Sequence, residues 1–175
     1  MDELKNQPCP VCGKKKAVLR EEALDIPYFG KTFVFSINCE ECGFSKADIE
    51  AAEQKDPVKI TFETDSEEDM KVRLIKSSNA TVKVPTLRMS VESGAGSDGF
   101  ISNVEGLINK FEKVIEGQRD SAEDPSVKKS AKNLLKKIWK IKLGDLPVKI
   151  VIEDPSGNSA IISDKAKVEK LKVKK

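Results

Sequence analysis

The chain has 175 residues, with 31 lysines and arginines against 29 aspartates and glutamates, four cysteines and no histidine. This length admits one or two small domains with a buried core. The missing histidine excludes Ser-His-Asp and Cys-His catalysis, imidazole metal ligation and a histidine pH switch.

Taken from the amino terminus, the first six residues lack the apolar core of a signal peptide, and no run approaches the ~18 apolar residues needed to span a bilayer. Charged residues at 34% exceed the ~25% of typical soluble domains. With the lysine and glutamate content, this points to a heat-adapted, cytoplasmic protein. In that compartment thiols stay reduced, and four cysteines point to metal ligation or redox chemistry before structural disulfides.

The cysteines form two pairs, Cys9-Pro10-Val11-Cys12 and Cys39-Glu40-Glu41-Cys42, each followed by a glycine, Gly13 and Gly43. C-x2-C places two sulfurs on one tight turn, and the glycine supplies a backbone conformation that turns amides toward them. Lys16–Arg20 and Thr32–Ile37 read as strands between the pairs, with Phe33, Phe35 and Ile37 alternating on one face. Two knuckles at the ends of a β-hairpin complete one closed, structural four-thiolate Zn2+ site, Cys9, Cys12, Cys39 and Cys42. A thioredoxin-like pair fits less well, because two linked pairs are present and no βαβ pattern surrounds them. An iron–sulfur cluster on the same four cysteines stays open as the alternative. Lys14, Lys15 and Lys16 are placed to offset the net −2 charge of such a zinc site.

Ala47–Asp56 is polar, ends at Pro57 and reads as a connection. Short strands follow at Val58–Phe62, Met70–Lys76, Ala80–Val84 and Thr86–Val91, with period-two alternation that marks sheets with one buried face. Gly94–Gly99 matches G-x-G-x-x-G, but Asp98 stands where a pyrophosphate would sit and the strands do not read as a parallel sheet. It reads as a glycine loop, not a cofactor site. Ser102 and Glu105 form a capping box, and Val104, Leu107, Ile108, Phe111, Val114 and Ile115 follow at helical spacing toward a stop at Gly117. A polar loop, 118–124, leads to a second helix after Pro125, rich in lysine and ended by Gly144. Strands at Val148–Ile152 and Asn158–Ile162 flank an Asp154-Pro155-Ser156-Gly157 turn, and 164–175 reads as a lysine-rich, loosely ordered tail. The expected fold is mainly β with an α-helical insertion. Residues 1–46 form a four-cysteine zinc finger; 47–163 form a β domain carrying an antiparallel helical hairpin at about 102–143. No catalytic constellation and no small-molecule site emerge.

Four stretches then resemble the ZPR-one zinc-finger family. They are the finger with Ile26–Gly30 and Cys39–Phe44, Arg73–Ala80 running into Val84–Leu87, Asn103–Ile108, and Val151–Ser159. The resemblance implies an elongated zinc finger joined to a double-stranded β-helix domain with a helical-hairpin insertion. Eukaryotic members carry two such modules, bind translation elongation factor 1-alpha and assist its folding; this chain looks like the single-module form expected in archaea. It further implies family-motif roles, structural or functional, for Glu105, Gly106, Asp154, Pro155, Gly157 and Asn158. Tyr28, Phe29 and Phe44 are candidate partner contacts, since exposed aromatics anchor interfaces, or else they pack the finger on the β domain. The chain is thus expected to be a non-enzymatic, chaperone-like partner of elongation factor 1-alpha. The alternative is a nucleic-acid-binding zinc module of the translation or transcription apparatus, suggested by the lysine-rich helix and tail.

Overall fold

The computed structural model describes residues 2–26, 30–53, 55–94 and 97–172. Four antiparallel strands, β1 (Asp2–Pro8), β2 (Lys15–Ile26), β3 (Gly30–Cys39) and β4 (Ser45–Ala51), form one sheet in sequence order. The β2–β3 hairpin is longer than expected, paired from Ala17 opposite Cys39 to Ile26 opposite Gly30. The expected connection after the finger is in its first half strand β4, with Asp48 opposite Phe35 and Ile49 opposite Val34. It reads as polar because only Ile49 is buried there, while Lys46 reaches out to pair with Asp98 and Glu50 is exposed. Val34, Ile49 and Ala51 pack with Ile75, Ala160 and Ile162. That apolar seam fastens the finger to the rest of the chain.

The remaining strands build two further antiparallel sheets. One has the order β12-β5-β10-β7-β8 and the other β11-β6-β9, where β5 is Val58–Glu63, β6 Arg73–Lys76, β7 Thr81–Val84, β8 Met89–Val91, β9 Phe100–Asn103, β10 Lys149–Asp154, β11 Ala160–Ile161 and β12 Lys167–Lys170. Two expected strands are shorter than their alternation suggested. Glu67–Lys71 and Pro85–Leu87 are 3-10 turns, where Pro85 sets a turn-ready φ and Arg88 follows in the left-handed region at φ 53°. Met70 and Leu87 are nevertheless buried, so the apolar pattern located the core without locating the strands. The lysine-rich end is not a loose tail throughout: Lys167–Lys170 pairs with β5, Val168 opposite Ile60.

Two helices, α1 (Val104–Ser121) and α2 (Pro125–Lys142), form the hairpin between β9 and β10. Val104, Leu107, Ile108, Phe111 and Ile115 of α1 and Ala131, Ile138 and Ile141 of α2 join Ile60, Phe62, Val82, Ile150 and Ile152 in one continuous core. The cap of α1 lies one residue later than the capping box placed it. The Asn103 side chain accepts from the Gly106 amide at 2.8 Å, which leaves Glu105 exposed in the first turn, favourably placed toward the helix dipole. Gly117 does not stop α1, which runs on to Ser121; an interior glycine costs only about 1 kcal/mol relative to alanine, less than the gain from continuing the helix. α2 stops where expected, with the Gly144 and Asp145 amides bonding to the Ile141 and Lys140 carbonyls in a Schellman arrangement. Asn103→Ala is expected to lower stability by about 1 kcal/mol, read as a lower thermal unfolding midpoint.

Candidate metal centre and the buried carboxylate

The sheet ends in two knuckles that face each other. In the first, the Gly13 amide donates to the Cys9 carbonyl and the Cys9 amide to that of Lys14; in the second, the Gly43 amide donates to Cys39 and the Cys39 amide to Phe44. Gly13 and Gly43 take φ +71° and +72°, the left-handed region that glycine enters freely. The four Sγ atoms lie within 4.8 Å of one another, with Cys9 to Cys42 at 3.7 Å and Cys12 to Cys39 at 3.8 Å. A Zn–S bond of about 2.3 Å in a tetrahedron gives sulfur edges of about 3.8 Å. The donor set therefore fits one tetrahedral ion. It is too compact for a multi-iron cluster and too open for disulfides, which need S–S near 2 Å.

The electrostatics of the thiols agree. The Cys12 amide, with that of Val11, pulls the Cys9 thiol down to about 7 against burial. The Phe44 amide pulls on Cys42, but burial and the neighbouring sulfurs outweigh it and push that thiol up to about 12. Four sulfurs this close cannot all ionise without a cation among them, and a divalent ion supplies that charge. All four positions are protein sulfurs, so the site is closed and zinc here is structural. Of the three lysines expected to offset its charge, Lys14 is ion-paired to Glu41 across the two knuckles.

Cys9, Ala17 and Cys39 form a small buried cluster against which Cys12, Ile37 and Phe44 pack. Phe44 is thus half-buried against the zinc knuckles. Tyr28 and Phe29 lie outside the described residues. The same sheet face carries an apolar stripe that sequence reasoning only half found. Register sets Leu4 beside Leu19 and Leu19 beside Ile37, with Phe35 and Phe33 continuing the row. Leu4 is 61% exposed and Leu19 37%, and with Phe35 and Ile37 they line an open groove. Alternation showed Phe33, Phe35 and Ile37; Leu4 was missed because its strand reads as a polar terminus.

Known proteins match this arrangement in both halves. The model of the ZPR1 zinc-finger domain matches residues 3–57 and that of the ZPR1 jelly-roll domain residues 68–175. This chain belongs to the ZPR1, or ZPR-one, family. An uncharacterized ZPR1-like protein of Methanocaldococcus jannaschii is 34% identical over 98% of this chain and 91% of its own length. Another, of Pyrococcus horikoshii, is 31% identical over 98% and 78%. The zinc finger chaperone zpr1 of Schizosaccharomyces pombe is 30% identical over 87% of this chain, but that match covers 33% of the yeast protein. The eukaryotic relatives are named as zinc finger proteins and, in yeast, as a zinc finger chaperone. No helix among the described residues is long and apolar enough to cross a membrane.

The Val151–Ser159 motif of this ZPR1-family chain is a buried polar knot. Asp154, at the end of β10, is fully buried. Its carboxylate accepts from the Ser156 amide and hydroxyl at 2.8 and 2.6 Å, the Asn158 amide at 3.0 Å, and the Ser159 and Ser77 hydroxyls at 2.6 and 2.8 Å. Burial alone would raise its pKa, but these bonds outweigh it and hold the carboxyl below the usual range. Gly157, at φ +69°, brings its backbone so close that a Cβ would lie 2.2 Å from the Asp56 carbonyl oxygen. Pro155 is exposed on the turn, and the Asn158 Oδ1 is buried without a partner among the described residues. Lys76, also fully buried, donates from Nζ to the Ser77 carbonyl at 2.9 Å and the Ser97 hydroxyl at 3.0 Å. Burial pulls its pKa down, and the Asp154 charge is the chief influence pushing it back. Lys76 and Ser77 stand in the second family stretch, Arg73–Ala80, but of these three residues motif reading singles out only Asp154 as a site residue; Ser77 bonds to it across the fold and Lys76 feels its charge.

Proposed function

We propose that this chain is a zinc-stabilised, non-enzymatic protein-binding module of the cytoplasm that acts as a chaperone-like partner of translation elongation factor 1-alpha. The observation that carries this reading is membership of the ZPR1 family together with the yeast relative named a zinc finger chaperone. The site chemistry supports it: the metal has no open coordination position, while Leu4, Leu19, Phe35 and Ile37 present an open apolar groove beside it. Apolar and aromatic side chains of this kind serve as interface anchors, and the acids Asp2, Glu21 and Asp48 share their face. Phe44, packed on the knuckles, would then transmit the zinc fold to the groove, and Tyr28 and Phe29 would extend the contact. Immobilised zinc-loaded protein is expected to retain the elongation factor from a lysate of the source cell, and Leu19→Asp with Phe35→Asp is expected to reduce that capture at least tenfold. Failure to retain it with either GDP or GTP, zinc intact, rejects the partner.

A further inference from the structure

Of the eight bases that stand against one acid between Ser126 and Ile150, seven fall on α2, which has a defined basic face. At 100° per residue, Ala131, Leu134, Ile138 and Ile141 of α2 share one side, and all are buried or half-buried. Lys128, Lys132, Lys136, Lys129 and Lys140 take the opposite side, and all are exposed. Trp139, the chain's single tryptophan, shares that side toward its C-terminal end, in angle between Lys128 and Lys132, 62% exposed, with Leu143 beside it at 45%. Among the described residues Lys129, Lys132, Lys136 and Lys140 form no ion pair, and Lys128 faces only the distant carboxylate of Asp120. The helical rise of 1.5 Å per residue spreads this stripe over about 18 Å from Lys128 to Lys140.

We propose that this face of α2 binds single-stranded nucleic acid, its lysines contacting phosphates and the Trp139 indole stacking on an unpaired base. An exposed indole flanked by unpaired lysines matches the two components of such binding, a positive track and an aromatic platform. A membrane surface fits less well. Most of the apolar side of α2 is committed to the core, leaving Trp139, Leu143 and, at the start of the helix, Val127 as scattered exposed apolar groups among the described residues, whereas interfacial helices bury a whole face. An acidic peptide would satisfy the lysines but gives the indole no flat partner. The stretch from Glu40 to Asp56, six acids against two bases, disfavours a polyanion at the finger end, while the acids of 65–69 lie by the C-terminal end of α2, where Glu67 abuts Gly144, and leave the lysine face toward its start as the place for it. The inference is independent of elongation-factor binding.

The test uses the full, zinc-loaded chain and a 20-nucleotide oligouridylate, read by the intrinsic fluorescence of Trp139. Saturable quenching is expected, with affinity falling about 100-fold between 50 and 200 mM salt, as neutralising about five single-strand phosphates implies. Lys132→Glu with Lys136→Glu is expected to weaken binding at least tenfold, whereas Lys167→Glu with Lys170→Glu, an equal charge change on the exposed β12, leaves it within twofold. Trp139→Ala, followed by anisotropy of labelled RNA, is expected to lose about tenfold and Trp139→Phe to recover most of it. Unquenched emission, a flat salt response or equal weakening by the two charge reversals overturns the proposal. So does tighter binding of an RNA duplex, polyglutamate or phosphatidylserine vesicles than of the single strand.

Discussion

Cys39→Ser is expected to release the zinc and unfold the sheet of β1 to β4 while the β domain stays folded. The reason is how little else holds that sheet. Among the described residues its buried side chains are Cys9, Ala17, Thr32, Cys39 and Ile49, and the cluster around the knuckles is two cysteines and an alanine with Cys12, Ile37 and Phe44 against it. Coupled metal binding contributes an apparent ~10–16 kcal/mol in isolated zinc fingers, far above anything these few side chains can supply. Serine removes a thiolate from a closed tetrahedron and leaves three sulfurs with an exposed coordination position. The seam of Val34, Ile49 and Ala51 on Ile75 would slow the loss but cannot replace the metal, because it lies on the other face of the sheet. Amide spectra with and without a strong chelator check this. Dispersion from Lys15 to Ser45 should collapse, while signals of Phe62, Ile150 and Ile152 persist. Finger amides that remain dispersed without metal would sink the expectation.

What the sequence made legible follows from what it must bury. The knuckles were readable because C-x2-C-G encodes its own local geometry, and the helical hairpin because each helix has a continuous apolar stripe against one core. The strands hidden from sequence are those at sheet edges. β1 and β12 pair on one side only, and all four residues of β12 are exposed. Natural edges carry charge because an apolar edge invites pairing with another chain. The same charge erases the period-two signal, so Asp2–Pro8 reads as a terminus and Lys167–Lys170 as a tail. β4 escaped for a related reason, since one buried isoleucine is too little to set a period. Long-range polar contacts were the other blind spot. Ser77 and Asp154 are 77 positions apart, and nothing in either neighbourhood states that a serine hydroxyl is there to satisfy a distant carboxylate.

That carboxylate carries the second large expected effect. Asp154→Ala is expected to destabilise the β domain by about 3–5 kcal/mol, the usual consequence of removing one side of a buried charge arrangement, out of a total of about 5–15 for a domain. It would strand the Ser77, Ser156 and Ser159 hydroxyls and the Ser156 and Asn158 amides, all of which donate to it. It would also remove the negative charge that favours the ammonium of buried Lys76. The wild-type contribution has a definite pH sense. The folded pKa of Asp154 lies below its ordinary value of 3.8, so the native state holds its proton more weakly than the unfolded chain does. Stability from this group is then fully present above about pH 4 and is lost as pH falls through the depressed native pKa. Asp154→Asn keeps the shape but turns one acceptor into a donor facing donors, and should abolish that acid-dependent component as well as lowering the urea midpoint. Ser77→Ala removes one bond to the carboxylate and should cost about 1–3 kcal/mol. An Asp154→Asn chain with an unchanged midpoint and the same slope between pH 5 and pH 2 would mean the knot is only a turn, held by Gly157 against Asp56 and not by the charge at its centre.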